Sequence, residues 1–200
     1  ASAGLRWLNR PEPNLDEVRV LTQRIIADAQ RAADIISRVR AMAGHKAPES
    51  APISINSVVE EATLFLAHEL ESHSVALTLQ LAKDLPPVLA DRIQLQQVVV
   101  NLAVNAVQAM SQTPTKRRRL ALCTGLHDGR VHVAIEDTGP GIDAAHQPRL
   151  FESFFTTKSN GMGMGLPICR SILETYGGAI SARNAESGGA VFSFTLPAAH

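Results

Sequence analysis

Two cysteines in 200 residues, Cys123 and Cys169, are too few for a disulfide framework, and no metal-ligand spacing relates them. Both are expected to be reduced thiols in a cytoplasmic setting. Charge of one sign is also lacking: 19 basic residues balance 19 acidic ones, so no whole-molecule field attracts nucleic acid or an anionic membrane. The run Lys116, Arg117, Arg118 and Arg119 is a local exception that reads as a solvated loop, since Thr113, Pro114 and Thr115 precede it and an apolar stretch follows. No stretch approaches the roughly twenty apolar residues that span a bilayer, and no basic leader with an apolar core opens the chain. Membrane insertion by these residues is not expected, and any anchor would belong to a longer protein. What is present is 45% hydrophobic residues, enough for one large domain or an ordinary domain with a smaller appendage.

The appendage comes first. Asn14 with Glu17 three residues later has capping-box spacing, and Pro11 and Pro13 keep the preceding segment extended. Val18, Leu21, Ile25, Asp28, Ala32, Ile35, Val39 and Met42 then recur at alternating threes and fours, a heptad seam. A second row of Ile26, Ala29, Ala33 and Ile36 lies beside it, which fits a helix wedged between neighbours in a bundle. Only a stub of another helix, Ala3 to Asn9, precedes this one, so the stripe is expected to be covered by a homodimer through helix 15–43 or by the rest of the chain. Residues 44–52, with a glycine and two prolines, read as a linker between a helical region at 1–43 and a second region at 53–200.

In the second region the patterns predict a helix at about 57–71, a strand at 75–82, a helix at 92–110, strands at 119–126 and 131–137, a helix at 165–176, and strands at 179–184 and 190–196. Asp128 and Gly129 mark a hairpin turn, and Gly188 with Gly189 a looser one. Hairpins should dominate the sheet, with helices over one face. The fold class is α+β, a two-layer sandwich.

Chemistry concentrates in four stretches of this region. The helix that Asp91 and Gln94 are placed to cap contains "NLAVNAVQAM", where Asn101 and Asn105 share a face and interrupt apolar positions. A single such amide could be bonded to core backbone, whereas a stacked pair points to a ligand. An Asn oxygen is a hard, neutral ligand suited to Mg²⁺ that already sits on phosphates. In "DTGPGID", Asp137 stands at a strand exit and Gly139 and Gly141 leave bare backbone. An ionised carboxylate there would accept from the adenine amino group and repel the guanine carbonyl; the alternative is an ordinary Asp-Gly turn. "LFESFFTTKSN" holds Phe151, Phe154 and Phe155, half of the six phenylalanines, which are either satellite core or latches of a lid that brings Lys158 to a phosphate. Without ligand, Lys158 is expected to be solvated. Lastly, Gly161, Gly163 and Gly165 open a helix in "SNGMGMGLPICR", as a surface loop or as a nest of main-chain donors under a polyphosphate. No Gly-Lys-Ser/Thr ending follows, which excludes a Walker loop.

In this order the two asparagines, "DTGPGI", "FESFFTTK", "GMGMGL" and the late "SGGAVFSFTLP" resemble the N, G1, F, G2 and G3 boxes of the histidine-kinase ATP-binding domain, over about residues 50–197. That domain has the GHKL (Bergerat) fold shared with type II topoisomerases, heat-shock chaperones and mismatch-repair ATPases. The segment "LRWLNRPEPNLDEVRVLTQRIIADAQRAADIISRVRAM" looks like the end of the first helix, the loop and the second helix of the family's dimerisation and phosphotransfer domain. The resemblance implies a transferase of a two-component system that binds ATP and Mg²⁺ and relays phosphate to a response regulator receiver domain. It makes Asn105 the main Mg²⁺ ligand, Asn101 its support and Asp137 the adenine reader. Gly139, Gly141, Ile142, Phe151, Thr157, Lys158, Gly161, Met162, Gly163, Met164, Gly165 and Leu166 complete the ATP contacts, and Asn101, Asn105 and Lys158 are the catalytic set. In the hydrolysing relatives a Glu stands where this chain has Asn101, which cannot act as a base, so slow hydrolysis is implied.

One departure accompanies the resemblance. The family's acceptor motif, a His followed by an acidic residue and a Pro, is missing; His45, His68, His73, His127, His132, His146 and His200 all lack that context. The acceptor is expected upstream of Ala1. The alternatives are a stand-alone ATPase or protein kinase of the same superfamily, and a module that binds ATP without transferring it.

Overall fold

The computed structural model describes residues 15–22, 25, 50–111, 117–158 and 161–199. It divides into two compact units, Ala1–Ala47 and Pro48–His200. In the first, residues 15–22 and 25 are helical. Val18 and Leu21 of the seam are half-buried there, while Ile25 is exposed. The rest of the seam, the second row, the stub at 3–9, the Asn14 cap and linker residues 44–49 lie outside the described residues.

The second unit runs β1 (Ala51–Ile53), α1 (Ile55–Ser72), β2 (Val75–Gln80), β3 (Val88–Ala90), α2 (Arg92–Ser111), β4 (Arg118–His127), β5 (Arg130–Asp137), a 3-10 turn (Gln147–Arg149), α3 (Gly165–Thr175), β6 (Ala179–Asn184) and β7 (Ala190–Pro197). Five strands form one sheet in the order β2-β4-β5-β7-β6. The β4–β5 hairpin turns at Asp128 and Gly129, both with positive φ, as a two-residue hairpin of right-handed twist requires. β5–β7 and β6–β7 are also antiparallel. Hairpin signals did not foresee that β2 pairs parallel to β4, which the long excursion through β3 and α2 permits. They also missed the β1–β3 pair, whose three-residue strands are too short to carry a pattern, with Pro52 inside β1 and Pro86 and Pro87 just before β3.

Side-chain alternation sets which face meets the helices. Along β5, Val131, Val133, Ile135 and Asp137 are buried and the residues between them are not. Leu120 and Leu122 of β4 and Phe194 and Leu196 of β7 join them under α1 and α2, with Leu66, Leu95, Val98, Leu102 and Met110 among the helical partners. The result is the two-layer sandwich, with an acid in the last place of an otherwise apolar row. At the start of α2 the Asp91 carboxylate accepts from the N–H groups of Ile93 (2.9 Å) and Gln94 (3.1 Å). Gln94 does not return the bond; its side-chain oxygen accepts from the Tyr176 hydroxyl at 2.7 Å and ties α2 to the end of α3.

One buried polar link joins the layers. The Thr124 hydroxyl donates to Asn56 Oδ1 (2.8 Å) and accepts from Ala82 N (3.0 Å), while Asn56 Nδ2 donates to Ala82 O (2.8 Å). Thr124→Val keeps the shape but strands one donor and one acceptor, so we expect it to lower unfolding free energy by about 1–3 kcal/mol. Urea unfolding with an unchanged slope and an unchanged midpoint would refute this role for the link.

Candidate functional site

α2 supplies the first part of the site. Asn101, Asn105 and Gln108 follow one another at four and three residues, so they form one half-buried stripe on the helix. Beside Asn101, the Cys169 thiol of α3 donates to the Val98 carbonyl of α2 at 3.9 Å, and burial pushes its pKa up to about 12. Cys169 is thus an inert packing group. One turn on from Asn101, a Cβ at Gly165 would lie 3.7 Å from Asn105 Nδ2, so the first residue of α3 abuts that amide.

Lys158 completes this cluster from the phenylalanine-rich loop. Its Nζ donates to Asn105 Oδ1 at 3.0 Å and to Gln108 Oε1 at 2.8 Å. The expectation of a solvated lysine is therefore corrected: the ammonium is half-buried between two amides, and that burial pulls its pKa down. The reason is packing of the loop onto α2, which sequence spacing does not register. The loop's aromatic rings divide as well. Phe155 lies against Arg149 (4.5 Å to the ring centroid) and His146 (centroids 5.6 Å apart), and Phe151 is half-buried. Phe154 is 76% exposed with φ of 68°, so it latches nothing.

The glycine-rich segment is shaped by this loop. Gly163 has φ of 65°, and a Cβ there would stand 2.5 Å from backbone atoms of Phe154 and Phe155. Its carbonyl accepts from Phe154 N at 3.0 Å. A side chain is excluded at 163 by the protein's own main chain. Gly161 donates to Lys158 O at 3.1 Å, Met162 is exposed, and Met164 is the N-cap of α3 without a side-chain bond. With Pro167 lacking an N–H, Gly165 and Leu166 carry the early amide donors of that helix. Leu166, like Ile142, packs on the core, and Thr157 is exposed.

Asp137 forms the second part. It is 2% exposed, and its Oδ1 accepts from Gly139 N (2.8 Å) and Ala190 N (3.3 Å). Among the described residues no donor reaches Oδ2. Burial pushes the carboxyl pKa up; the two main-chain bonds oppose that, and Glu136 adds to it. The following turn is fixed by Asn184 of β6, whose side-chain oxygen accepts from Ile142 N (2.6 Å) and whose amide donates to Ile142 O (2.9 Å). Gly141 packs beside it, with its Cβ position 2.9 Å from Asn184 Oδ1. From β7 comes Gly189, where a Cβ would lie 1.9 Å from the Asp137 carbonyl oxygen.

The two parts meet on α2. A Cβ at Gly139 would lie 3.4 Å from Met110 Cγ, and the Thr138 hydroxyl lies 3.6 Å from Met110 Sδ. Met110 is five residues beyond Asn105, a rise of roughly 7.5 Å along the helix. The acid and the amides thus stand at two stations of one rod. A polar groove of about 400 Å³ lies elsewhere, on the opposite sheet face, and Glu136, Arg183, Glu186 and Ser187 line it. It contains none of the predicted residues. Gln108 and Asn184 escaped the sequence reading. Gln108 could have been found as the next member of the asparagine stripe, whereas the Asn184 contact crosses 42 residues and leaves no local signal.

Residues 90–200 match the family profile of histidine kinase-, DNA gyrase B- and HSP90-like ATPases. The sensor histidine kinase TmoS of Ectopseudomonas mendocina is 39% identical over 98% of this chain and 20% of its own length. The sensor protein FixL of Bradyrhizobium diazoefficiens is 41% identical over 94% of this chain and 37% of its own. This chain therefore spans about a fifth of the first relative and somewhat over a third of the second. Among solved structures, full-length ShkA in complex with AMPPNP superposes with a TM-score of 0.75 and 26% identity, covering 96% of this chain and 41% of that one.

Gly188 and Gly189 offer a matched test of the Asp137 anchor, since their φ angles are 89° and 91° but only Gly189 lacks room for a side chain. Gly188→Ala should cost about 1 kcal/mol of backbone strain. Gly189→Ala should cost at least about 2 kcal/mol more by displacing the Asp137 main chain. Equal unfolding midpoints for the two variants would contradict the contact.

Proposed function

Because this chain belongs to the family of histidine kinase-, DNA gyrase B- and HSP90-like ATPases, we propose that it is the ATP-binding catalytic region of a sensor histidine kinase. In this reading it moves the ATP γ-phosphoryl group to a histidine outside these residues, from which an aspartate of a response regulator receives it. The observation that carries the reading is the buried Asp137, whose Oδ1 is spoken for by main chain while Oδ2 meets no protein donor among the described residues. An acceptor so placed suits the adenine amino group. Gly139 and Gly141 leave bare backbone against which a flat ring would lie, and Ile142 offers an apolar edge.

Toward the phosphates, Asn105 Oδ1 already accepts a cation, the Lys158 ammonium, and this stand-in supports its fitness as a Mg²⁺ ligand. When bound, Mg²⁺ would neutralise charge on the β- and γ-phosphates. The amides of Gly165 and Leu166 would receive phosphate oxygens at the positive end of α3, and Lys158 would add its charge. Asn101 holds no base for water, so the γ-phosphoryl would be kept for an imidazole nitrogen. These residues bind and orient; catalysis would come from position and charge. The partners in this reading are the receiver domain and a second copy joined through helix 15–43, in a cytoplasmic setting. No helix among the described residues is long and apolar enough to cross a membrane.

Asp137→Asn is expected to weaken ATP binding several-fold or more, since an amide can present a donor where an acceptor is needed; unchanged affinity by calorimetry would remove the base-reading role. The raised pKa also sets signs. Ionisation is disfavoured by the fold, so the Asp137 contribution to stability is full below the ordinary carboxylate pKa and is lost as pH rises through the raised value. Nucleotide affinity should move oppositely, rising over that window. Both components should vanish in Asp137→Asn. For the reaction itself, γ-labelled ATP and Mg²⁺ are mixed with this chain and a separately made acceptor helix pair. Acid-labile labelling of the acceptor histidine is expected; release of inorganic phosphate alone would favour an ATPase, and binding alone a nucleotide-sensing module.

A further inference from the structure

Lys158 has an unusual home. Its ammonium is half-buried, yet among the described residues no carboxylate pairs with it; both acceptors are neutral amide oxygens, on Asn105 and Gln108. Neutral acceptors compensate a desolvated cation less fully than an anion does, so the contact is strong enough to set a position and weak enough to be given up. The two acceptors differ in what else they face. Asn105 abuts the start of α3, where phosphate is expected, whereas Gln108 lies one turn further along α2 with its side-chain oxygen engaged by Lys158.

We infer that Gln108 is a positioning residue that parks Lys158 on Asn105 Oδ1 in the free protein, so that the lysine occupies the oxygen the metal needs until a metal polyphosphate displaces it. This rests on the nucleotide reading above and concerns what the incoming ligand must first undo. Two cations on one amide oxygen repel each other, and a half-buried site screens that repulsion less than bulk water does. A polyphosphate offers Lys158 a better, anionic partner, and its departure clears Asn105 for the metal. The lysine therefore leaves one cation site and enters another within reach of the same loop, coupling metal entry to movement of residues 154–158. Local bonds already shape that segment, with Lys158 N donating to the Thr156 side-chain hydroxyl at 3.1 Å and Gly161 N to Lys158 O at 3.1 Å. Free energy spent in unparking must reduce the apparent affinity for the metal nucleotide.

The test exploits a sign that a purely structural role would not produce. AMPPNP with Mg²⁺ is titrated by calorimetry into the full chain, its Gln108→Met and Gln108→Leu variants, Lys158→Met, and the Lys158→Met/Gln108→Met double variant, with folding checked by thermal unfolding. Loss of Gln108 should tighten binding by about three- to tenfold and lower the Mg²⁺ concentration for half-saturation, since one charged hydrogen bond of the free state is removed. In the Lys158→Met background the same substitution should change nothing. Equal or weaker binding by both folded Gln108 variants, or the same gain without Lys158, would overturn the inference while leaving the nucleotide reading intact. Failure of the unaltered chain to bind Mg²⁺ and AMPPNP would bring down both.

Discussion

Burying a carboxylate at the end of β5 constrains everything around it. Asp137 falls on the core side because alternation along Val131, Val133 and Ile135 leaves it no other face. An ionised group there requires donors, and those within reach are the main-chain N–H groups of Gly139 and Ala190. Each donor has its own condition. Gly139 must turn back directly after the strand, and Ala190 must begin β7 beside β5 with no side chain on Gly189 to push the two apart. The β5–β7 adjacency, a topological feature, is thereby also an electrostatic one.

α2 connects this anchor to the rest of the site. Its apolar side, from Leu95 to Met110, lies in the core, which fixes the rotation of the helix and so the direction of the Asn101, Asn105 and Gln108 stripe. Its axial placement is fixed at both ends: Asp91 caps the beginning and Gln94 binds Tyr176, while Met110 touches the turn after Asp137. A rod held at both ends keeps a set distance between an acid and a cation-binding amide without any direct contact between them. This geometry suits an elongated ligand with a hydrogen-bonding head and a charged tail.

Such a division also explains what could be read before the structure. Local rules worked where local physics decides: the Asp91 cap, the positive-φ hairpin at Asp128 and Gly129, the strand alternation and the i, i+4 asparagines all depend on neighbours a few residues away. The parallel β2–β4 pair and the short β1–β3 pair depend on where the chain returns, and the Asn184 clamp on Ile142 spans the third helix and a strand; none of these leaves a local trace. Lys158 illustrates the limit best. Its identity marked it as a phosphate partner, but its resting contacts belong to the tertiary packing of a loop on a helix.

The three glycines at 161, 163 and 165 suggested a single cause, a polyphosphate lying on bare backbone. The geometry separates them. At 163 the main chain of Phe154 and Phe155 already forbids a Cβ, and at 161 the Thr156 hydroxyl and the Lys158 stem crowd the position. At 163 glycine is required by the protein with or without a ligand, whereas at 161 a side chain would have to displace those of Thr156 and Lys158. Only at 165 is there ordinary contact distance, to Asn105 Nδ2, so nothing in the surrounding protein demands glycine there. This helix start, with no side-chain cap, a vacant Cβ position and the Asn105 amide beside it, is open to a ligand. In the proposed reading, Gly165 and the amides that follow it are where a phosphate would lie.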